Sequence, residues 1–352
     1  MNNNTHYQSN NNNIKTLSAT GAVLYSAFVT VLAAVSVLCM RTDPDNAVLC
    51  FFVPVFLIGA GYFATALLVH KNTALFCVCA AVSVLACFAL TLDILRSLVC
   101  LGAFAAALSV HLGSRRKYFT QSGMICLCSV FYAVFLFSAL CILCYQKYGS
   151  VGIDTFTKAY NSFVSVIMQA PLDTLEIYRE LYTSPEYASV IESYEQLTEL
   201  LRNTLELMLY SVPSLFLCIC SIGGFITVRA SKRHRKMSGL PDTIGPYRIS
   251  VTSAAVYIIL TLISLFSDGY SALGITVSTV GAVLGLGLAV EGFIFVFSVL
   301  KRTQRAQLYT ALLIIAVSMM PGLAQSLLAL VGVYHSFVLM KMRRDINKTP
   351  KE

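Results

Sequence analysis

The sequence predicts an all-α, polytopic transmembrane helix bundle, and three observations carry that reading. Charged residues make up 12% of the chain and apolar ones 57%, where a soluble domain has roughly 25% charged residues. Apolar runs recur along the chain, most of them at or near the roughly 20 residues that cross a bilayer core. They are rich in Leu, Ala and Gly and do not alternate over about 10 residues, which excludes barrel strands.

Residues 1–16 are an Asn-rich tail without periodicity, expected to be disordered. The run Leu17–Met40 is too long for the apolar part of a signal peptide and is expected to stay as the first of ten spans. The others are Ala47–Val69, Thr73–Leu92, Ser97–Gly113, Met124–Tyr145, Leu207–Val228, Ile249–Ser267, Gly274–Arg302, Leu308–Met320 and Leu323–Met340. This divides the chain into a five-span bundle (17–145), an acidic helical segment (146–206), a second five-span bundle (207–340) and a basic tail (341–352). The last apolar run, Leu308–Met340, would measure about 50 Å as one helix, against a core of about 30 Å. Pro321-Gly322 inside it predicts a hairpin; the alternative is one kinked, tilted helix.

With ten spans and both termini inside, nineteen of the 25 basic residues fall in inside segments. The six outside are Arg41, Arg96, Lys147, Lys158, Arg179 and Arg202. This obeys the positive-inside rule at every loop. It also accounts for the net charge of +8 without a nucleic-acid partner. The basic run Arg229–Lys236 reads as a juxtamembrane loop facing anionic lipid. The localisation expected is the plasma membrane.

The segment 146–206 carries nine acids and four bases and is expected outside. Phe156, Tyr160, Phe163, Val164 and Ile167 have helical spacing, and Asp173–Tyr182 reads as a further short helix. Ser184-Pro185-Glu186 is a helix start. Tyr187, Val190, Tyr194, Leu197, Leu201 and Met208 then mark an apolar seam. The segment is expected to form an amphipathic hairpin, with a coiled-coil seam as the alternative.

Chemistry-bearing motifs are few. All twelve cysteines lie in or beside apolar runs, where cysteine acts as a small hydrophobe. Their spacing suits no metal site. The sequence has no phosphate-binding GxxxxGK[ST] loop, HExxH or GxSxG. No enzyme activity, cofactor or metal is therefore expected. Small residues recur every fourth position at Ala22, Ser26, Thr30 and Ala34, and again at Gly281, Gly285 and Ala289, a pattern that lets helix backbones approach closely.

The sharpest feature is Glu291, a lone acid inside the apolar run Gly274–Arg302. A carboxylate there costs several kcal/mol unless it is paired, protonated or wetted. Counting from Lys301 and Lys341 at about 1.5 Å per residue, Glu291 and His335 differ in depth by about 6 Å. Two side chains bridge that distance if their helices are neighbours. One reading is a buried polar site formed by Glu291 and His335, with Gly292 beside it and Gly287 leaving room for the glutamate; the alternative is that each residue separately meets backbone carbonyls, hydroxyls or water, or that His335 faces the headgroups.

The block Glu291-Gly292 to Lys301-Arg302 resembles the YybS-like family of uncharacterised bacterial polytopic membrane proteins. Gly292, Lys301 and Arg302 match its motif, while Glu291 stands where the family has Gln and Phe297 where it has His. A second block, Leu330 to His335, is similar with His335 in place of Asp. The family is in turn similar to the substrate-binding S components of energy-coupling-factor transporters. That resemblance implies a transport-related binding subunit that lacks its own ATPase and docks on a membrane coupling subunit with ATPases, with Ala22, Ser26, Thr30 and Ala34 as the docking stripe. The other reading is an envelope scaffold whose outside acidic helices recruit a partner.

Overall fold

The computed structural model describes residues 19–40, 52–70, 73–115, 120–182, 187–240, 244–303 and 305–348. Among them every regular element is a helix. In chain order these are α1 (Ala19–Leu38), α2 (Phe52–Val69), α3 (Thr73–Thr91), α4 (Ile94–Val99), α5 (Leu101–Arg115), α6 (Gln121–Tyr148) and α7 (Ile153–Leu181). They continue as α8 (Ala188–Met208), α9 (Val212–Met237), α10 (Val251–Phe266), α11 (Ala272–Leu300), α12 (Ala306–Met319) and α13 (Pro321–Lys348).

Among the described residues, eight helical stretches are long and apolar enough to cross a membrane, so the chain is a multi-pass membrane protein. The seventh and ninth of the ten expected spans form α10 and α12, of 16 and 14 residues. At about 24 and 21 Å these fall short of a core of about 30 Å. The last apolar run is two helices: α12 ends at Met319 and α13 begins at Pro321, where the ring removes a backbone donor.

The described residues group into two compact units, divided differently from the linear scheme. One draws on the described residues within 19–40, 52–142 and 223–245; the other on those within 143–222 and 246–348. The second half of α9 thus belongs with the N-terminal helices, and the acidic segment with the C-terminal ones.

In the first unit α1 packs on α2 and α3, and α2 on α5. Val29, Leu67, Leu68, Phe76 and Phe104 form its core. Of the first-span stripe, Ala22 is buried and Ser26 donates to its own Ala22 carbonyl at 2.8 Å. Thr30 Oγ1 meets Ser83 of α3 at 3.4 Å. Tyr132 of α6 reaches Thr227 of α9, hydroxyl to hydroxyl at 2.9 Å. Gly61 on α2 leaves the space for that phenol, because a Cβ there would collide with the Tyr132 oxygen.

Two local readings change. Arg229–Lys236 is no loop but the final turns of α9. Lys232 Nζ donates to Gln121 Oε1 and to the Gly245 carbonyl, each at 3.1 Å, and Arg235 Nη1 to Ser114 Oγ at 2.9 Å. Arg229, Arg233 and Lys236 are exposed. Asp173–Tyr182 is likewise no separate helix, since α7 runs unbroken from Ile153 to Leu181 with Pro171 inside it.

The helices α7 and α8 form the expected antiparallel hairpin in the second unit. Tyr160 Oη donates to the Leu205 carbonyl, and burial raises this phenol above its ordinary range. Near the turn, Tyr178 meets Tyr194 edge-on at 5.4 Å, and Arg179 donates twice to Glu195. The expected seam is rotated. Tyr194 and Thr198 face the hairpin, while Val190, Leu197 and Leu200 lie about three-fifths exposed. The aromatic ladder and the ion pair set this register. The helix start at Ser184–Glu186 lies outside the described residues.

Candidate functional site

The second unit is organised around the crossing of α11 and α13. Leu288-x-x-x-Gly292 on one helix faces Leu328-x-x-x-Gly332 on the other, and the contact is reciprocal. A Cβ on Gly292 would run into the Leu328 carbonyl oxygen, and one on Gly332 into the Leu288 carbonyl oxygen. Only glycine lets the two backbones meet there. Ala254 of α10 joins Leu288, Ala289, Ala329 and Val333 in the core beside the crossing.

This close approach brings Glu291 against α13, and the structure places Glu291 and His335 together. His335 Nδ1 faces Glu291 Oε1 at 3.0 Å, and Ser336 Oγ donates to the same oxygen at 3.4 Å. The His335 ring lies against Phe295, with centroids 4.6 Å apart. The glutamate side chain is 2% exposed and the histidine 22%.

A third partner comes from the segment leading into α10. Residues 245–250 are not helical. The Ile249 N–H donates to Glu291 Oε2 at 2.6 Å, and Tyr247 Oη donates to the Gly287 carbonyl at 3.0 Å. Backbone that leaves a helix inside an apolar bundle needs such partners, because lipid supplies none. Gly287 therefore makes room for this segment rather than for the glutamate: a Cβ there would stand 2.9 Å from Ile249 Cδ1 and 3.3 Å from the Tyr247 oxygen. Ser250 caps α10 by accepting from Ser253 N at 3.1 Å. One carboxylate thus ties α11, α13 and the entry to α10.

Further toward the N-termini of α11 and α13, the same helices and α10 enclose a half-open groove with a cavity volume of about 320 Å³. Tyr257, Thr261, Ser264, Ser278, Gln325 and Ser326 supply its polar lining. Thr261, Ser264, Ser278 and Ser326 donate to carbonyls of their own helices. Their oxygens are left as acceptors toward the groove. The lining contains no charged side chain.

The second small-residue stripe divides at this groove. Gly285 faces the Tyr257 ring, where a Cβ would stand 3.1 Å away, and Ala289 joins the core. Gly281 serves space instead of helix approach. It lines the groove, and a Cβ on it would meet nothing within 4 Å.

Sequence reasoning missed Ile249 N–H, Ser336, Tyr247 and the groove. It also missed His234 in the first unit, which is buried between the ring edges of Tyr25 and Tyr62 at 5.6 and 5.5 Å. Neither of its ring nitrogens has a hydrogen-bond partner among the described residues. The spacing Thr227, Ser231, His234, Ser238 was the signal available, one polar stripe on one face of α9. Among the described residues no group of three or more His, Cys, Asp or Glu is placed to hold a metal.

Comparison with known proteins gives one finding. A family model described as "Predicted membrane protein (DUF2232)" matches residues 46–334. No curated protein and no solved structure matches the chain.

Proposed function

The chain belongs to the DUF2232 family of predicted membrane proteins, and from that premise we propose that it is a transport-related, substrate-binding membrane subunit without its own ATPase. The groove between α10, α11 and α13 carries this reading. Its volume lies at the lower end of the range of small-molecule sites, roughly 300–1,000 Å³. Its lining offers hydroxyl acceptors between apolar helices, which suits a small uncharged ligand bearing O–H or N–H donors. The ten-span topology with both termini inside is part of the same proposal, as are a coupling subunit with ATPases as partner and the absence of an enzymatic reaction.

Gly281→Leu tests the reading, because the new side chain enters the groove without striking protein atoms around its Cβ. Full-length protein purified from its native membrane is expected to retain a small neutral compound in native mass spectrometry. Gly281→Leu is expected to lose it, with yield and thermal midpoint unchanged. Equal retention by both proteins, or none by wild type, contradicts the proposal.

A second reading, an envelope scaffold, is favoured by the exposed apolar ridge Val190, Leu197 and Leu200 on the acidic hairpin. A detergent pull-down separates the two. Co-purification of a membrane coupling subunit with ATPases supports the first. Capture of a non-ATPase envelope protein that Leu197→Glu abolishes supports the second.

A further inference from the structure

We propose that two copies of this chain pair through α8, forming a short parallel coiled coil with a two-fold axis along the helices. The face that pairs is the one that the α7–α8 hairpin leaves uncovered.

Val190, Ser193, Leu197, Leu200, Thr204 and Leu207 are all exposed on α8. They follow one another at intervals of three, four, three, four and three residues. That is the a/d repeat of a coiled coil, which keeps one stripe on one side of a helix. Tyr194 and Thr198, which face the hairpin, lie on a different side. The β-branched Val190 and Thr204 stand at a, and Leu200 and Leu207 at d, an arrangement that favours two parallel strands. The two hydroxyls in the stripe bury without losing a partner. Ser193 Oγ donates to the Ser189 carbonyl and Thr204 Oγ1 to the Leu200 carbonyl, each at 2.7 Å. Neither donor is stranded when water leaves the seam.

Charge selects the occupant. α8 carries four acids, Glu192, Glu195, Glu199 and Glu206, and one base, Arg202. None of them occupies the stripe or the e and g positions that flank it, which decide partner choice in coiled coils. Those positions hold Ser189, Gln196 and Asn203 on one side and Tyr194, Leu201 and Met208 on the other. A basic partner helix finds no acid there to pair with, whereas a copy of the same helix meets no like charge. A bilayer surface is a poorer match, since helices that lie on anionic lipid carry Lys and Arg on their polar face.

The membrane sets the direction. α8 continues through Leu209–Ser211 into α9 as one helical run, Ala188–Met237, long and apolar enough to cross a bilayer. Copies in one membrane share its orientation, so a symmetric pair of α8 helices meets in parallel and in register. Each residue of the stripe then faces its own counterpart. The stripe from Val190 to Leu207 is about 27 Å long, short for a free coiled coil, where about three to four heptads are usual. Two chains confined to one bilayer begin at high effective concentration, which lets a short seam hold them.

The test is photocrosslinking of full-length protein in the membranes of the cell that makes it, with benzoylphenylalanine in place of Leu197, Leu200 or, on the acidic side, Glu192. Adducts of twice the chain mass are expected from Leu197 and Leu200 and not from Glu192. Adding Leu200→Glu to the Leu197 probe is expected to remove the adduct. Yield and thermal midpoint should stay as in wild type, because both positions are exposed. On mild oxidation Leu197→Cys is expected to form a disulfide-linked dimer above the background of wild type, whose twelve cysteines are the control. No protein adduct from either seam position, or an equal one from Glu192, overturns the proposal. An adduct with a different protein also overturns it and favours the scaffold reading. A photoadduct of twice the chain mass without the Leu197→Cys disulfide overturns the parallel register.

Discussion

Replacing Gly292 with leucine is expected to abolish accumulation of folded protein. The obstacle is backbone, not a side chain that can rotate away: a Cβ on Gly292 collides with the Leu328 carbonyl oxygen and stands 2.9 Å from Gly332 N. Relief requires parting α11 from α13, the most extensively packed helix pair. Parting them also pulls Glu291 from His335. Overpacking of a tight core typically costs about 1–3 kcal/mol, and a backbone obstacle at a two-sided crossing places this change at or above the upper end. Gly332→Leu is expected to act alike through the Leu288 carbonyl, and Gly292→Ala in the same direction with a smaller loss. The measurement is monodisperse yield and thermal midpoint in detergent, with Gly281→Leu as the substitution that meets open space. Equal behaviour of Gly292→Leu and Gly281→Leu would mean that the helices do not cross at Gly292.

Glu291→Leu is expected to cost about 3–5 kcal/mol, the range for removing one partner of a buried charged pair. It strands two groups at once, the Ile249 N–H and the His335 imidazole. Glu291→Gln is expected to cost less, because an amide oxygen still accepts from Ile249. His335→Leu leaves the carboxylate its bonds to the Ile249 N–H and Ser336. The double substitution Glu291→Leu with His335→Leu is expected to cost clearly less than the sum of the singles, because each single change already removes the shared interaction. Thermal or denaturant midpoints of the four proteins check this. Strictly additive losses would show that the two side chains do not interact.

Much of this architecture was legible because a bilayer imposes simple rules. Long apolar runs and their flanking charges named the helices, and one acid among apolar residues demanded a partner. Depth counting chose His335 for Glu291, since both lie at known distances from basic helix ends. What stayed hidden depends on backbone that leaves the helix. Nothing in Gly245–Ser250 announces that its Ile249 N–H turns toward a carboxylate on another helix. Gly281 and Gly285 look identical as sequence, yet one faces open space and the other a tyrosine ring. The run Arg229–Lys236 reads as a solvated loop because charge masks the small and polar face, Ser231, His234 and Ser238, that turns inward. The hairpin seam shifted because Tyr178, Tyr194, Arg179 and Glu195 set a register that apolar spacing alone does not encode.

The central claim is that Glu291 of α11 and His335 of α13 are bonded inside the second unit. Dipolar-recoupling NMR on full-length protein in lipid bilayers, with carbon-13 glutamate and nitrogen-15 histidine, measures this directly. The expected result is a short coupling between a histidine Nδ1 and a glutamate carboxyl carbon, in keeping with the 3.0 Å Nδ1–Oε1 distance, that disappears in both Glu291→Gln and His335→Leu. The absence of that coupling in wild type, or its survival in either variant, would contradict the account.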